Sequence, residues 1–378
     1  MYPRALVLGT AVVAVLVSSA ASATSEPPTT APANDTFTVQ HAENFTLTYD
    51  DDYKVLTIGA GNTAETFVLV QRGAEPPALD GELAGASVIE VPVEAMFSES
   101  SSHYGFIDVL DIEEVVTGVG DTALVVTPEL AERAASGQIE SFAPNFIVDP
   151  ELVVAADPDV YVTGGGADPA HEVIAAAGIP VVPNVEWLET TPQGWAEWVG
   201  LFAALTNTEG QANELYAEWL ADYDAAAALA EEVTERPTAI TGGLFEGTWY
   251  ANGGASVVAQ FIADGGGDYV YADDSSPGSI ELDIETVLAD GADADVWLLP
   301  QGFTTMEQAV TLDDRLDEFA AWAGGGVWTY EVALDPTVSF LESGPVMIDE
   351  YLLDYVAALH PDLVPDHEFT FLSEVPPS

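Results

Sequence analysis

Asp149-Pro-Glu151-Leu-Val-Val-Ala-Ala-Asp-Pro-Asp159-Val-Tyr-Val162 decides the fold, because its pattern returns as Asp283-Ile-Glu285-Thr-Val-Leu-Ala-Asp-Gly-Ala-Asp-Ala-Asp295-Val-Trp-Leu298. In each copy an Asp is placed to cap a short helix, a Glu follows in the first turn, and an apolar stripe comes next. A turn then leads to Asp-Val-aromatic, which opens a buried strand. The second copy is two residues longer between Glu and strand. Such an echo predicts two lobes of like topology. An acidic residue in a first helical turn also suits the helix dipole and needs no other role. Glu151 and Glu285 stand out only because they occupy matching places.

Outward from these copies, short apolar runs alternate with helical ones. Phe45–Tyr49 and Tyr53–Ile58 alternate around three Asp residues and read as a hairpin, followed by a strand at Glu65–Gln71. Asp168 caps a helix opened by Pro169 and closed by Gly178. From Thr191 to about Val233 no strand signal appears. Trp195, Trp198, Val199 and Phe202 share one helical face there, and Leu215, Trp219, Tyr223, Ala226 and Leu229 share another after a break at 207–210. These aromatics read as core rather than as a ligand platform. Strand–helix alternation resumes at Thr238–Thr241 and continues to a terminal helix over 345–360. Tyr330–Ala333 reads as an edge strand. The fold class expected is α/β: two Rossmann-like three-layer lobes with mostly parallel sheets, joined by a long helix, with a ligand cleft between the lobes. The divisions are a signal peptide over 1–23, a Thr/Pro linker over 24–36, lobes over 37–190 and 236–378, and a helical link over 191–235.

Composition narrows the function. The 378 residues carry 64 Asp plus Glu against 6 Lys plus Arg, a formal charge of −58. Nothing in that balance neutralises phosphates or anionic lipid, so nucleic acid and anionic membrane surfaces are excluded as partners. Lys54 is the only lysine, and acidic residues are spread along the whole chain. This is the habit of a protein built for molar salt, where the screening length falls to about 3 Å. An acidic partner-binding protein is the other reading. There is no cysteine, which removes disulfides, thiolate metal sites, Cys nucleophiles and a lipid-modified Cys after the leader. Arg4, the apolar run 5–17 and Ala21-Ser-Ala23 form an export signal. Asn34 and Asn44 begin glycosylation sequons.

No catalytic motif is present: no GxSxG elbow, HExxH, P-loop or EF-hand loop. His41, His103, His171, His360 and His367 lack metal-ligand spacing. Ligands of open α/β sheets gather at the carboxyl ends of strands. Candidate ligand residues there are Gly164 and Gly165 in the loop 163–167, and Phe303 in the loop 300–303. His103 and Tyr104 close a polar loop that follows a strand, although a loop or capping histidine is the preferred reading of His103. Trp249 and Tyr250 lie between a strand and a helix, where aromatic faces suit planar or bulky ligands. Packing of Trp249 on the sheet is equally open. Trp187 follows the strand ending at Pro183, and Arg72 directly follows another.

Four stretches carry a family resemblance: Glu151–Val162; Pro180–Pro192 with Trp195–Trp198; Gly247–Tyr250 through 265–267 to Leu282–Val287; and His360–His367. Over nearly everything from Phe37 onward the chain resembles the solute-binding proteins of ABC importers for iron–siderophores and vitamin B12. The resemblance implies a rigid helix between lobes, an iron–siderophore, haem or corrinoid ligand, no catalysis and no cofactor, and a monomer on the outer side of the membrane. It also implies that Glu151 and Glu285 dock on Arg residues of the permease. The missing lipobox Cys departs from the family, as does the scarcity of Arg, which disfavours a highly anionic ferric siderophore. Competing readings are a surface or adhesion protein and a metal-assisted enzyme using the same cleft.

Overall fold

The computed structural model describes residues 35–50, 52–298, 303–330, 334 and 337–376. The leader, most of the Thr/Pro linker and residues 300–302 and 331–333 of two expected elements lie outside them. Two five-stranded sheets organise the chain. The first has the order Glu140–Ser141, Val116–Val119, Met96–Ser98, Val160–Thr163, Val181–Pro183, all parallel. The second has the order Asp268–Tyr269, Thr238–Thr241, Val296–Leu298, Val327–Thr329, Ser373–Glu374, parallel except for its last pair. Val160–Thr163 and Val296–Leu298 are buried along their whole length. That is why the sequence shows them as continuous apolar runs. The mostly parallel two-lobe α/β architecture read from the sequence is therefore the one observed.

Both echo copies fold alike. Asp149 caps the helix Pro150–Ala156, its carboxylate accepting from the amides of Glu151 and Leu152 at 3.1 Å each. Asp283 caps Ile284–Gly291 by accepting from Thr286 N at 2.8 Å. Two smaller sheets extend the lobes. One runs Phe45–Tyr49, Tyr53–Ile58, Glu65–Gln71, Ser87–Val91; the other runs Gly243–Phe245, Thr248–Asn252, Ser279–Leu282. A strand occupies Val327–Thr329, and of the strand expected at Tyr330–Ala333 only Tyr330 lies within the described residues.

Between the large sheets the chain forms Pro192–Glu197, Val199–Thr206 and then Glu209–Ala230. Asn207, at φ 61°, ends the second of these. The 22-residue third helix spans about 33 Å. It buries Ala212, Tyr216, Trp219, Tyr223, Ala226 and Ala230, spaced three and four apart, and packs on the last helix, Ile348–Leu359. Leu229, expected on that stripe, is exposed because Ala230 takes the buried position. Lys54 pins the start of this helix. Its ammonium donates to Ala204 O at 2.8 Å and Asn207 Oδ1 at 2.7 Å, and it pairs with Glu209. Among the described residues no helix is long and apolar enough to cross a membrane.

Buried carboxylates do much of the joining. Glu197 is fully buried and accepts from the backbone amides of Gln40, His41 and Ala42, each at 2.7 Å. Glu189 accepts from Glu43 N at 2.8 Å, Asn44 N at 3.1 Å and Trp198 Nε1 at 2.9 Å. Together they fix the entry segment 40–44, which leads into the strand Phe45–Tyr49, against the helical link. The side-chain amide of Asn44, a sequon residue, donates to Leu188 O in the same joint. Glu197→Ala strips three part-buried amides of a charged acceptor, at roughly 1.5–3 kcal/mol per hydrogen bond to a charged group. Denaturant unfolding should show a loss of at least about 3 kcal/mol. A loss below about 1 kcal/mol would show that the segment 40–44 is not held by this joint.

Candidate functional site

A cavity of about 530 Å³ opens where the carboxyl ends of the first sheet face elements that follow the helical link. That volume falls in the usual range for small-molecule sites. From the first lobe come Ser100, Ser101 and Ser102, just past the strand Met96–Ser98, and Glu186 and Trp187, just past Val181–Pro183. From the second come Asn252 at a strand end, Ser256, Val257 and Phe261 on a helix, and the turn Pro277–Ser279. Trp195 of the link, Phe340 and Tyr351 close the wall. Phe340 lies 6.3 Å from the Trp195 ring and 4.9 Å from that of Tyr351, and Phe261 meets Tyr351 edge-on at 4.6 Å. Such a wall presents flat apolar faces together with serine hydroxyls. No lysine, arginine or histidine lines the cavity among the described residues.

Glu186 supplies the cavity's one carboxylate. Ser102 Oγ donates to its Oε1 at 2.5 Å, while Oε2 is buried with no partner. Asn184 Oδ1 holds the Glu186 amide at 3.2 Å and so sets the turn. Burial pushes the Glu186 carboxyl up to about 7, against the pull of the Ser102 hydroxyl. Trp187 is half-exposed, and its Nε1 donates to Gly164 O at 3.1 Å. A side chain added at Gly278 would meet the Trp187 ring at 3.7 Å, so this indole reaches from one lobe toward the other.

Of the residues singled out in the sequence, Trp187 alone borders this cavity. Tyr104 and Gly164 border a neighbouring hollow of about 300 Å³ that shares Ser100 and Ser101 with it. His171 bonds Glu99 at 3.2 Å in that region, and the carboxylate raises the imidazole's pKa. Several expectations are corrected. Trp249 is wholly buried, stacked at 5.3 Å on Trp297, with Nε1 donating to Thr241 O. Tyr250 is half-buried opposite Gly243 and Glu281, and it is Asn252, two residues on, that reaches the cavity. Phe303 packs in the second core against Trp297 and Trp322.

His103 is buried behind Ser102, its Nδ1 bonded to Ser98 Oγ at 2.8 Å and its ring against Phe202. Burial pushes it down to about 3, so it stays neutral. Arg72 sits at the wrong end of the sheet. It bonds Glu90 and the Pro92 carbonyl, and it reaches Asp159, which precedes the strand Val160–Thr163 rather than following it. Gly165 takes φ 76°, and a Cβ there would strike Val185 at 2.4 Å. Its missing side chain lets two loops approach each other rather than a ligand. Glu151 is exposed in its first turn, whereas Glu285, also exposed, pairs with Arg315 at 2.5 Å. Among the described residues no group of three or more His, Asp and Glu could hold a metal ion.

Two α/β lobes meeting across a lined cavity form a ligand-binding cleft. The chain belongs to the periplasmic binding protein family, whose model matches residues 106–333. Members of this family serve ABC importers as binding proteins rather than enzymes. An uncharacterized lipoprotein of Methanocaldococcus jannaschii is 24% identical over 357 residues, covering 87% of this chain and 83% of that one. CeuE of Helicobacter pylori in a Ni–His complex is 14% identical with a TM-score of 0.56, covering 73% of this chain and 86% of its own. A periplasmic heme-binding protein of Pseudomonas aeruginosa is 17% identical with a TM-score of 0.53, covering 75% and 98% respectively. At these identities the two solved structures speak for the fold alone.

Glu186 makes a pH-dependent prediction about stability. Its folded pKa of about 7 exceeds the usual 4.5, so its contribution is complete below 4.5 and is lost as pH rises through 7. Glu186→Gln removes that loss. The variant should be more stable than the parent at pH 8, by up to about 3 kcal/mol, and unchanged in relative stability below pH 4.5. Thermal unfolding at both pH values checks this, and equal midpoints at pH 8 would mean that the carboxylate is solvated.

Proposed function

We propose that the protein captures a metal chelate outside the cytoplasm, an iron–siderophore, haem or corrinoid, and delivers it to an ABC import permease. The observation that carries this reading is the interlobe cavity, walled by Trp187, Trp195, Phe261, Phe340 and Tyr351 and edged by serines. Aromatic faces suit planar or bulky ligands, and a wall without cationic side chains offers nothing to a polyanion. The ligands named for the heme-binding and Ni–His relatives agree with a chelate as cargo. Export agrees with the family and with the lipoprotein relative. The spread of acidic residues suits molar salt. A monomer suffices, because both walls of the cavity come from one chain.

Glu151 and Glu285 are the docking residues in this reading. Each stands exposed in the first turn of a capped helix, at matching places in the two lobes. Charge pairing with permease arginines would set register and encounter more than affinity. Glu285 would first exchange Arg315 for its permease partner. A surface protein has no need of such a cavity, and an enzyme would need a reactive group in it.

Intrinsic tryptophan fluorescence in molar KCl tests the reading. Cyanocobalamin, haem, a ferric hydroxamate, a ferric catecholate and free metal ions are titrated in parallel. Saturable one-to-one quenching by one chelate and none by free ions is expected; silence across the panel from a folded protein would withdraw it. With the ligand in hand, the double substitution Glu151→Ala, Glu285→Ala should abolish uptake and leave the titration unchanged. Lost binding in a folded double variant would remove the docking assignment.

A further inference from the structure

Four buried carboxylates among the described residues are generously supplied with donors. Glu189 and Glu197 have three each, and Glu342 takes Val126 N, Thr127 N and Thr127 Oγ1 at 2.9, 2.8 and 2.6 Å. Asp354 accepts from His367 Nε2 at 2.6 Å and from the amides of Phe371 and Leu372 at 2.7 and 2.8 Å. Glu186 breaks the pattern. It is only 3% exposed, one oxygen is held by Ser102, and the other has no partner. The same residue borders the cavity between the lobes. An unpaired acceptor in such a place is costly, by more than a made hydrogen bond contributes. Here that cost falls where a ligand can relieve it.

We infer that Glu186 is a specificity-determining residue of the cleft, whose free oxygen receives an N–H, O–H or ammonium donor from a neutral or cationic metal chelate. This rests on the solute-binding reading above and narrows its ligand class. Three features point the same way. Glu186 is the cavity's single carboxylate, and no arginine, lysine or histidine stands beside it among the described lining residues. The serine and asparagine edges bond neutral groups without selecting for negative charge. Glu189, three residues on, adds a second negative charge nearby. A polyanionic chelate would meet the Glu186 carboxylate, with the buried Glu189 behind it, and no cation among the described lining residues.

The charged state of Glu186 follows the same chemistry. A donor that bonds the carboxylate favours its ionised form, so binding and deprotonation are linked. Burial and, to a smaller extent, the Glu189 charge raise the pKa to about 7, while the Ser102 hydroxyl and the backbone amides of Glu186 and Trp187 draw it down. Two other groups near this wall keep one protonation state across neutral pH. Burial holds His103 neutral down to about 3 and holds the Tyr351 phenol well above its usual range.

The test uses the mature chain in molar KCl with ferrioxamine B, a ferric trihydroxamate ending in an ammonium, its N-acetyl derivative, cyanocobalamin, and trianionic ferric enterobactin. Binding is read by tryptophan quenching for the parent and for Glu186→Gln at pH 8 and pH 5.5. At pH 8 the parent should bind ferrioxamine B or cyanocobalamin at least about tenfold more tightly than ferric enterobactin. Glu186→Gln should weaken the favoured chelate by about tenfold or more, the scale of a lost hydrogen bond to a charged group. Parent affinity should fall from pH 8 to pH 5.5, and that dependence should vanish in the variant. If ferrioxamine B is the favoured chelate, acetylation should cost the parent more than the variant. The parent's pH profile needs no substitution, so a poorly folded variant does not shelter the inference. Equal affinities of parent and variant, a flat parent profile, or preference for ferric enterobactin would overturn the role of Glu186 while the solute-binding reading stands. No binding of any of the four chelates by folded parent would overturn the chelate reading itself, and this inference with it.

Discussion

A shortage of cations shapes this molecule. With 64 acidic residues and 6 basic ones, buried carboxylates cannot in general be paired with Lys or Arg. They are satisfied by backbone N–H groups instead. Glu197 takes three consecutive amides of the entry segment before the first strand, and Asp354 takes those of the closing segment around Phe371. Hydrogen bonds to an ionised acceptor are among the strong ones, and backbone donors are available wherever a strand edge or a loop turns. The chain thus uses its plentiful carboxylates as clamps on its own main chain. The single lysine is spent the same way, buried where Ala204, Asn207 and Glu209 meet at the start of the long helix.

These clamps position the site. Glu189 and Glu197 hold the entry segment 40–44 to the link from which Trp195 reaches the cavity. Glu342 ties the short helix carrying Phe340 to Val126 and Thr127 of the first lobe. The aromatic wall is therefore fixed from both lobes by carboxylate–amide contacts, which bulk salt screens less than exposed ion pairs. Within that frame the unpartnered oxygen of Glu186 is an exception with a location. Real proteins tend to break local rules where function needs it.

The lobes were legible because their signals are local. Asp149 and Asp283 cap helices that lead into strands buried on both faces, and each of those features is written in adjacent residues. The break at Asn207 was legible for the same reason. The site was far less so. Trp249, Tyr250 and Phe303 have the chemistry of a ligand wall and stand near strand ends, yet Trp249 and Phe303 pack inward on Trp297. An aromatic after a strand looks the same in sequence whether it turns toward a cleft or into the core. Trp195 misled in the opposite direction. It shares a helical face with Trp198 and Phe202, but it is half-buried and lines the cavity while they are sealed in. Glu186 carried no signal beyond its place in a run of three acids, Glu186, Glu189 and Glu197. Their spacing does not say which one faces the cleft.

The sequence by itself determined the two-lobe α/β plan, the helical link, the pairing of Glu151 with Glu285 as equivalent positions, and the exclusion of polyanionic partners. Those follow from period, capping and net charge, which are properties of neighbouring residues or of the whole chain. Only the tertiary structure decided which side chains face one another across the lobes. The cavity draws on residues from Ser100 to Tyr351, and burial of a single carboxylate depends on every element packed around it. Desolvation is set by that three-dimensional enclosure and not by sequence neighbours. That is why burial pushes the cavity's own carboxyl, Glu186, up to about 7.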